Sequence, residues 1–146
     1  MTIPARITFG TLGARDVKKL QAFYESFGWP LHYADDEVAM FFLDGANLAI
    51  YSIESLARDA RATELPPPLQ FKGSNLAINV DSADQVDAVI EEARSLGATI
   101  LAEPETMDWG GRSAQFADPE NNAWEVAWVP GSSFDDHGQL VWPKRD

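Results

Sequence analysis

Apolar residues fall into two recurring patterns along this chain, and the same order of patterns occurs twice. Arg6 to Leu12 (RITFGTL) carries the β-branched and aromatic content of a strand. Asp16 stands where a helix N-cap is wanted, and Val17, Leu20, Phe23, Tyr24 and Phe27 follow at the spacing of one helical face. Gly28 supplies a left-handed residue at that helix's end. Three short strands are predicted next, over Leu31–Ala34, Val38–Leu43 and Leu48–Ser52, with Asp35-Asp36 and Asp44-Gly45 as turns. Ile53–Ala60 reads as a short helix.

Residues 61–73 break the periodicity. Leu65-Pro66-Pro67-Pro68 can neither continue a helix nor donate to a sheet, so the stretch reads as a semi-rigid connector. The order then repeats. Asn75–Val80 alternates as a strand. Ser82 and Gln85 make an S-x-x-Q capping box, Val86, Val89, Ile90, Ala93 and Leu96 give the buried helical face, and Gly97 ends it. Strands follow at Thr99–Ala102, Arg112–Ala117 and Ala123–Trp128, the last two joined by Asp118-Pro119-Glu120-Asn121-Asn122.

The predicted architecture is α+β: one domain over residues 1–146 in which two βαβββ modules pair into a curved, mixed eight-stranded sheet around a cleft. Module one covers residues 5–60, the connector 61–73, module two 74–129, and a C-terminal clasp 130–146. The clasp contains Leu140-Val141-Trp142, too apolar for a disordered tail.

Composition narrows the partners. A formal charge of −12 repels phosphate backbones and anionic lipid, so neither nucleic acid nor a membrane surface is expected. With no cysteine, disulfides, thiolate metal sites and cysteine nucleophiles are excluded. No signal peptide or spanning run is visible, and the expected compartment is the cytoplasm. Five Trp, three Tyr and eight Phe supply a core and leave aromatic side chains for a pocket.

Gly13-Ala14-Arg15-Asp16, Ala22-Phe23-Tyr24, Gly28-Trp29 and the closing Phe116-Ala117-Asp118-Pro119-Glu120-Asn121-Asn122-Ala123-Trp124-Glu125-Val126 resemble the vicinal-oxygen-chelate superfamily of glyoxalase I, bleomycin-resistance proteins and extradiol dioxygenases. The resemblance covers residues 6–129 and implies fold more than reaction, since the fold hosts many activities. Metal-dependent members of that family place ligands on four inward strand positions, which correspond here to Phe9, Ala49, Asn75 and Glu125. Phe9 and Ala49 have no lone pair to offer, Asn75 has a weak amide oxygen, and Glu125 alone is a good ligand. A divalent ion needs three or four donors, so no tightly bound metal is expected. His32 and His137 lie off these positions and read as surface residues.

Glu125 is therefore the residue expected to carry chemistry, as a hydrogen-bond anchor or a metal-free general base. An apolar cleft would strip water from it, and Arg112 or a ligand's donor would have to compensate. The register of the 112–117 strand stays open: either Arg112, Ala114 and Phe116 share the face of Glu125, or Ser113 and Gln115 do. Trp109, beside Gly110-Gly111, is expected to line the cleft, with Phe9 and Tyr51 as further walls and Ala49 and Asn75 on the inward faces. Phe41 is a further candidate wall, and each of Phe9, Phe41 and Tyr51 is as compatible with the core.

Three functions follow. The first is a protein binding a small, largely apolar organic ligand without a tight metal. The second is a glyoxalase-type lyase or isomerase with Glu125 as base, with or without a divalent ion. The third is an interaction protein. A homodimer is expected in each case.

Overall fold

The computed structural model describes residues 2–144. The chain forms two compact units, residues 1–65 and 66–146. Each holds one four-stranded mixed sheet, so the twice-repeated βαβββ order and the α+β class expected from the sequence are present.

In the first unit, β1 (Phe9–Ala14) lies parallel to β4 (Asn47–Ser52), followed by β3 (Val38–Phe41) and β2 (Leu31–Ala34), in the order β1-β4-β3-β2. The first strand starts three residues later than its composition suggests. Its parallel partner decides this: Phe9 aligns with Asn47 and Ala14 with Ser52, whereas Ile7 lies upstream of that register and is exposed. Helix α1 (Val17–Glu25) is capped by Asp16, whose carboxylate accepts from the Lys19 backbone N–H at 3.0 Å. Phe27 lies beyond the helix in the closing turn and packs on Phe23 and Trp29, while Gly28 takes φ +79. The core contains Leu20, Tyr24, Phe41 and Ile50, all fully buried. Helix α2 (Ile53–Asp59) follows β4 directly and is capped by Ser52.

The second unit repeats this order. Its sheet runs β5 (Asn75–Asn79), β8 (Ala123–Trp128), β7 (Arg112–Ala117), β6 (Thr99–Thr106), with β5 parallel to β8. Helix α3 (Ala83–Ser95) covers one face of this sheet, burying Val86 and Ile90 in a core with Phe116 and Val126. Ser82 accepts from the Gln85 N–H at 3.2 Å, and the Gln85 side chain reaches back to the Asp81 N–H at 2.9 Å, one residue before the cap. Strand β6 runs four residues past its expected end. It is an edge strand with two register irregularities, and this is where a sheet accommodates Pro104.

The closing turn of the motif has a buried hub. The Asp118 carboxylate accepts from the N–H groups of Glu120 and Asn122 and from the Asn122 side-chain amide. Lys72, at the end of the connector, donates to the Glu120 carbonyl and the Asn122 side-chain oxygen, which ties the connector to the second unit. Beyond β8 the tail forms its own hairpin, β9 (Ser133–Phe134) and β10 (Leu140–Val141). The last two residues of the expected clasp, 145 and 146, lie outside the described residues. No helix among the described residues is long and apolar enough to cross a membrane.

Candidate functional site

Strand register determines which side chains share a face. In the second unit Ala77 aligns with Glu125 and Glu125 with Gln115, while Asn79 aligns with Ala127 and Ala127 with Ser113. Asn75, Ala77, Asn79, Glu125, Gln115 and Ser113 therefore look out from the face opposite α3. Ala123, Ala117 and Ala127 complete it, so the surroundings of Glu125 are mostly methyl groups, with amides and one hydroxyl at intervals. Asn75, at the start of β5, is exposed on that same face.

The register left open by the sequence is thus settled in favour of Ser113 and Gln115. Arg112, Ala114 and Phe116 turn to the helix face. There the Arg112 guanidinium grips Asp87 of α3 with two hydrogen bonds, Nε to Oδ2 at 2.6 Å and Nη2 to Oδ1 at 2.7 Å, and Nη1 donates to Thr106 at 3.3 Å. This bond from Arg112 holds the Asp87 carboxyl below the usual carboxylate range and raises Arg112 above the usual guanidinium value. Arg112 is on the opposite side of the sheet from Glu125, and its charge is already matched.

The partner of Glu125 is Ser113. The buried Ser113 hydroxyl donates to Glu125 Oε2 at 3.1 Å. Oε1 accepts from no group among the described residues. A half-buried carboxylate is therefore oriented by one hydroxyl while its second oxygen is open to a donor from outside.

The first unit gives the contrasting face. Thr11 aligns with Ala49 and Ala49 with Met40, and Gly13 with Tyr51 and Tyr51 with Val38. Phe9, Thr11, Ala49, Tyr51 and Met40 therefore share one side. Phe9 is partly exposed and meets Phe42 edge-on, with centroids 6.0 Å apart. Ala49 is buried. Phe41 is on the other side, fully buried against Tyr24, and belongs to the core. His32 stacks on Phe42 at 3.9 Å, and His137 sits in an exposed turn whose backbone is held by Asp135.

The four positions that the family resemblance assigns to metal ligands do not suit a divalent ion. They offer a phenyl ring, a methyl group, one amide and one carboxylate, and the carboxylate is already bonded to Ser113. Among the described residues no group of three or more His, Cys, Asp or Glu side chains could hold a metal.

Trp109 precedes strand β7. It lies in the 107–111 turn between β6 and β7, half exposed, and its ring folds over Gly111. Together with Val129, Pro130, Trp142, Pro143 and Lys144 it lines a cavity of about 340 Å³. The repeat pattern marks none of those residues, and Trp109 stands out in the sequence only through its glycine neighbours. The available signal was the apolar Leu140-Val141-Trp142 in an otherwise polar tail.

A protein-family model described as the Glyoxalase/Bleomycin resistance protein/Dioxygenase superfamily matches residues 6–126. Among solved structures, a glyoxalase-related enzyme from Fulvimarina pelagi is similar at 24% identity, with a TM-score of 0.84 over 97% of this chain and 100% of that one. A glyoxalase/bleomycin resistance protein/dioxygenase from Nocardioides is similar at 21% identity, with a TM-score of 0.75 over 88% of this chain and 85% of that one. A lactoylglutathione lyase from Agrobacterium tumefaciens is similar at 20% identity, with a TM-score of 0.68 over 86% of this chain and 95% of that one. No curated protein matches. At these identities the structures share the fold, and the family match extends over most of the sequence. The chain belongs to the glyoxalase/bleomycin resistance protein/dioxygenase superfamily.

Proposed function

We propose that the chain binds a small, largely apolar organic molecule on the face of its second sheet opposite α3, anchored by Glu125 and independent of a tightly bound metal. The observation that carries this reading is the open Oε1 of Glu125, set among alanines and steadied through Oε2 by Ser113. Methyl groups give the ligand an apolar bed, and one charged acceptor selects an O–H or N–H at a fixed point. Asn75, Asn79 and Gln115 add neutral donors and acceptors on the same face. Phe9, Ala49 and Tyr51 give the first unit's own sheet a largely apolar face, and Arg112 keeps its salt bridge with Asp87 on the helix side of the second sheet.

The test is a thermal-shift and calorimetric screen of phenols, anilines and benzamides against the purified chain and Glu125→Gln. Donor-bearing aromatics should stabilise the chain, and Glu125→Gln should weaken their binding about tenfold with little change in its own melting temperature. Equal binding by both proteins would remove Glu125 from the site.

A second reading rests on the same open oxygen: a glyoxalase-type lyase or isomerase with Glu125 as general base. The adduct of glutathione with methylglyoxal is the substrate to assay, with and without added zinc, nickel or manganese. Turnover lost in Glu125→Gln supports it; saturable binding without turnover leaves the binding reading. In either case we take the working protein to be a cytoplasmic homodimer. The exposed Leu31 and Tyr33 on edge strand β2 and Leu101 on edge strand β6 support self-association, and light scattering in solution tests it.

A further inference from the structure

The cavity beside the tail hairpin has the makings of a second binding site. Trp109 and Trp142 are 53% and 56% exposed, yet both belong to its wall rather than to the core. Val129, Pro130 and Pro143 complete an apolar lining, and Lys144 is its one charged residue. All six residues lie in the second unit.

Two glycines set these walls. A Cβ at Gly111 would lie 1.8 Å from Trp109 Cζ3, so the indole rests directly on bare backbone. A Cβ at Gly131 would lie 3.2 Å from Pro143 Cβ, so the tail seats against that glycine as well. The backbone therefore holds Trp109 in place on one side while much of its surface stays in solvent. A large, oriented and exposed indole is costly to leave uncovered, and a flat ring stacked on it recovers apolar burial and π contact.

The lining also selects charge. A tryptophan cage suits a cationic ammonium only when no like charge stands in it, and Lys144 is such a charge. Its ammonium instead complements a carboxylate on the ring's edge. About 340 Å³ is at the small end of ligand pockets, enough for one bicyclic ring system with a short substituent. We propose that this cavity binds a planar aromatic carboxylate, with its ring against Trp109 and Trp142 and its carboxylate toward Lys144. Its lining includes neither Glu125 nor Ser113, and it does not depend on the function proposed for them.

The experiment is calorimetric titration with 1-naphthoate, the neutral 1-naphthamide and the cationic 1-naphthylmethylammonium. The carboxylate should bind at least about tenfold more tightly than the ammonium compound. Trp109→Ala and Trp142→Ala should each weaken 1-naphthoate about tenfold. Lys144→Gln should abolish the preference for 1-naphthoate over 1-naphthamide while leaving the amide's affinity in place. Glu125→Gln should bind 1-naphthoate as the unaltered chain does. The inference is overturned if 1-naphthoate gives no saturable heat, if the ammonium compound binds as well, or if Trp142→Ala binds unchanged. Loss of 1-naphthoate binding in Glu125→Gln would also overturn it, by moving the ligand to Glu125.

Discussion

Gly111→Ala tests the packing of the 107–111 turn at one methyl group. Gly111 is buried and its φ is not left-handed, so an alanine there meets no backbone penalty and its cost is steric. The added Cβ would stand 1.8 and 2.2 Å from Trp109 Cζ3 and Cη2, and 2.4 Å from the carbonyl oxygen of Trp128. The indole can swing away at the cost of its packing. The carbonyl cannot, because Trp128 is paired with Arg112 in the β7–β8 ladder. Overpacking of this kind costs about 1–3 kcal/mol, and two simultaneous clashes, one against backbone, put Gly111→Ala near about 3 kcal/mol. For a chain of this size that lowers the melting temperature by about 6–12 °C. Urea denaturation with Trp109→Ala, Gly111→Ala and the double variant closes a cycle. The double variant should be about 1 kcal/mol less destabilised than the sum of the singles, because the ring clash is gone and the carbonyl clash remains. Gly110→Ala is the contrast: at φ +94, with its nearest neighbour Pro130 4.0 Å from the added Cβ, it should cost about 1 kcal/mol through backbone conformation alone. A Gly111→Ala protein within about 0.5 kcal/mol of the parent, or strict additivity in the cycle, refutes this account.

Asp118→Ala leaves three donors in the closing turn without their shared acceptor and should destabilise the second unit by about 2–4 kcal/mol, read by chemical denaturation; Asp118→Asn should recover part of that. The Asp87 carboxyl is held below its ordinary value by Arg112, so its contribution is present above the unfolded carboxylate pKa of about 4 and is lost as pH falls through the lower folded value. The pair is partly exposed and screened by solvent, and Arg112→Ala should flatten that part of the acid limb in a melting-temperature series from pH 6 to pH 2. Ala49→Glu puts a carboxylate at a buried position flanked by Thr11 and Met40, and should cost about 3 kcal/mol or more by urea denaturation; a loss under about 1 kcal/mol would show that the first unit tolerates charge there.

The elements were readable where one side chain decides locally. Asp16 and Ser82 cap their helices through their own oxygens, and Gly28 and Gly97 end helices because a left-handed φ is needed there. Strands β7 and β8 have the bounds their alternation predicts. The start of β1 was not legible, because it depends on which residues find a partner in β4. The register of β7 was not legible either. Arg-Ser-Ala-Gln-Phe-Ala mixes polar and apolar residues on both faces, and the choice is made by α3, which takes Phe116 into its core and offers Asp87 to Arg112. Trp109 was noticed for its glycine neighbours, but its cavity partner Trp142 lies in the tail outside the repeat, and periodicity carries no information about that pairing.

The two sheets show how one backbone plan can carry different chemistry. By register, Phe9 corresponds to Asn75, Ala49 to Glu125, Met40 to Gln115 and Val38 to Ser113. At every one of these pairs the first unit has an apolar side chain and the second a polar one. The substitutions are coupled: a carboxylate at the Glu125 position needs a donor beside it, and Ser113 provides one where Val38 could not. With Ala49 in place of a carboxylate the first unit needs no such donor, and an apolar face costs nothing in unsatisfied hydrogen bonds. Ala49 and Val38 thus form a matched apolar pair where Glu125 and Ser113 form a matched polar one. In the second unit the same two positions keep a hydroxyl and a carboxylate in contact. The hydroxyl–carboxylate contact of this face is therefore confined to β7 and β8, while at the matching Thr11 and Tyr51 it is the first unit that carries a hydroxyl.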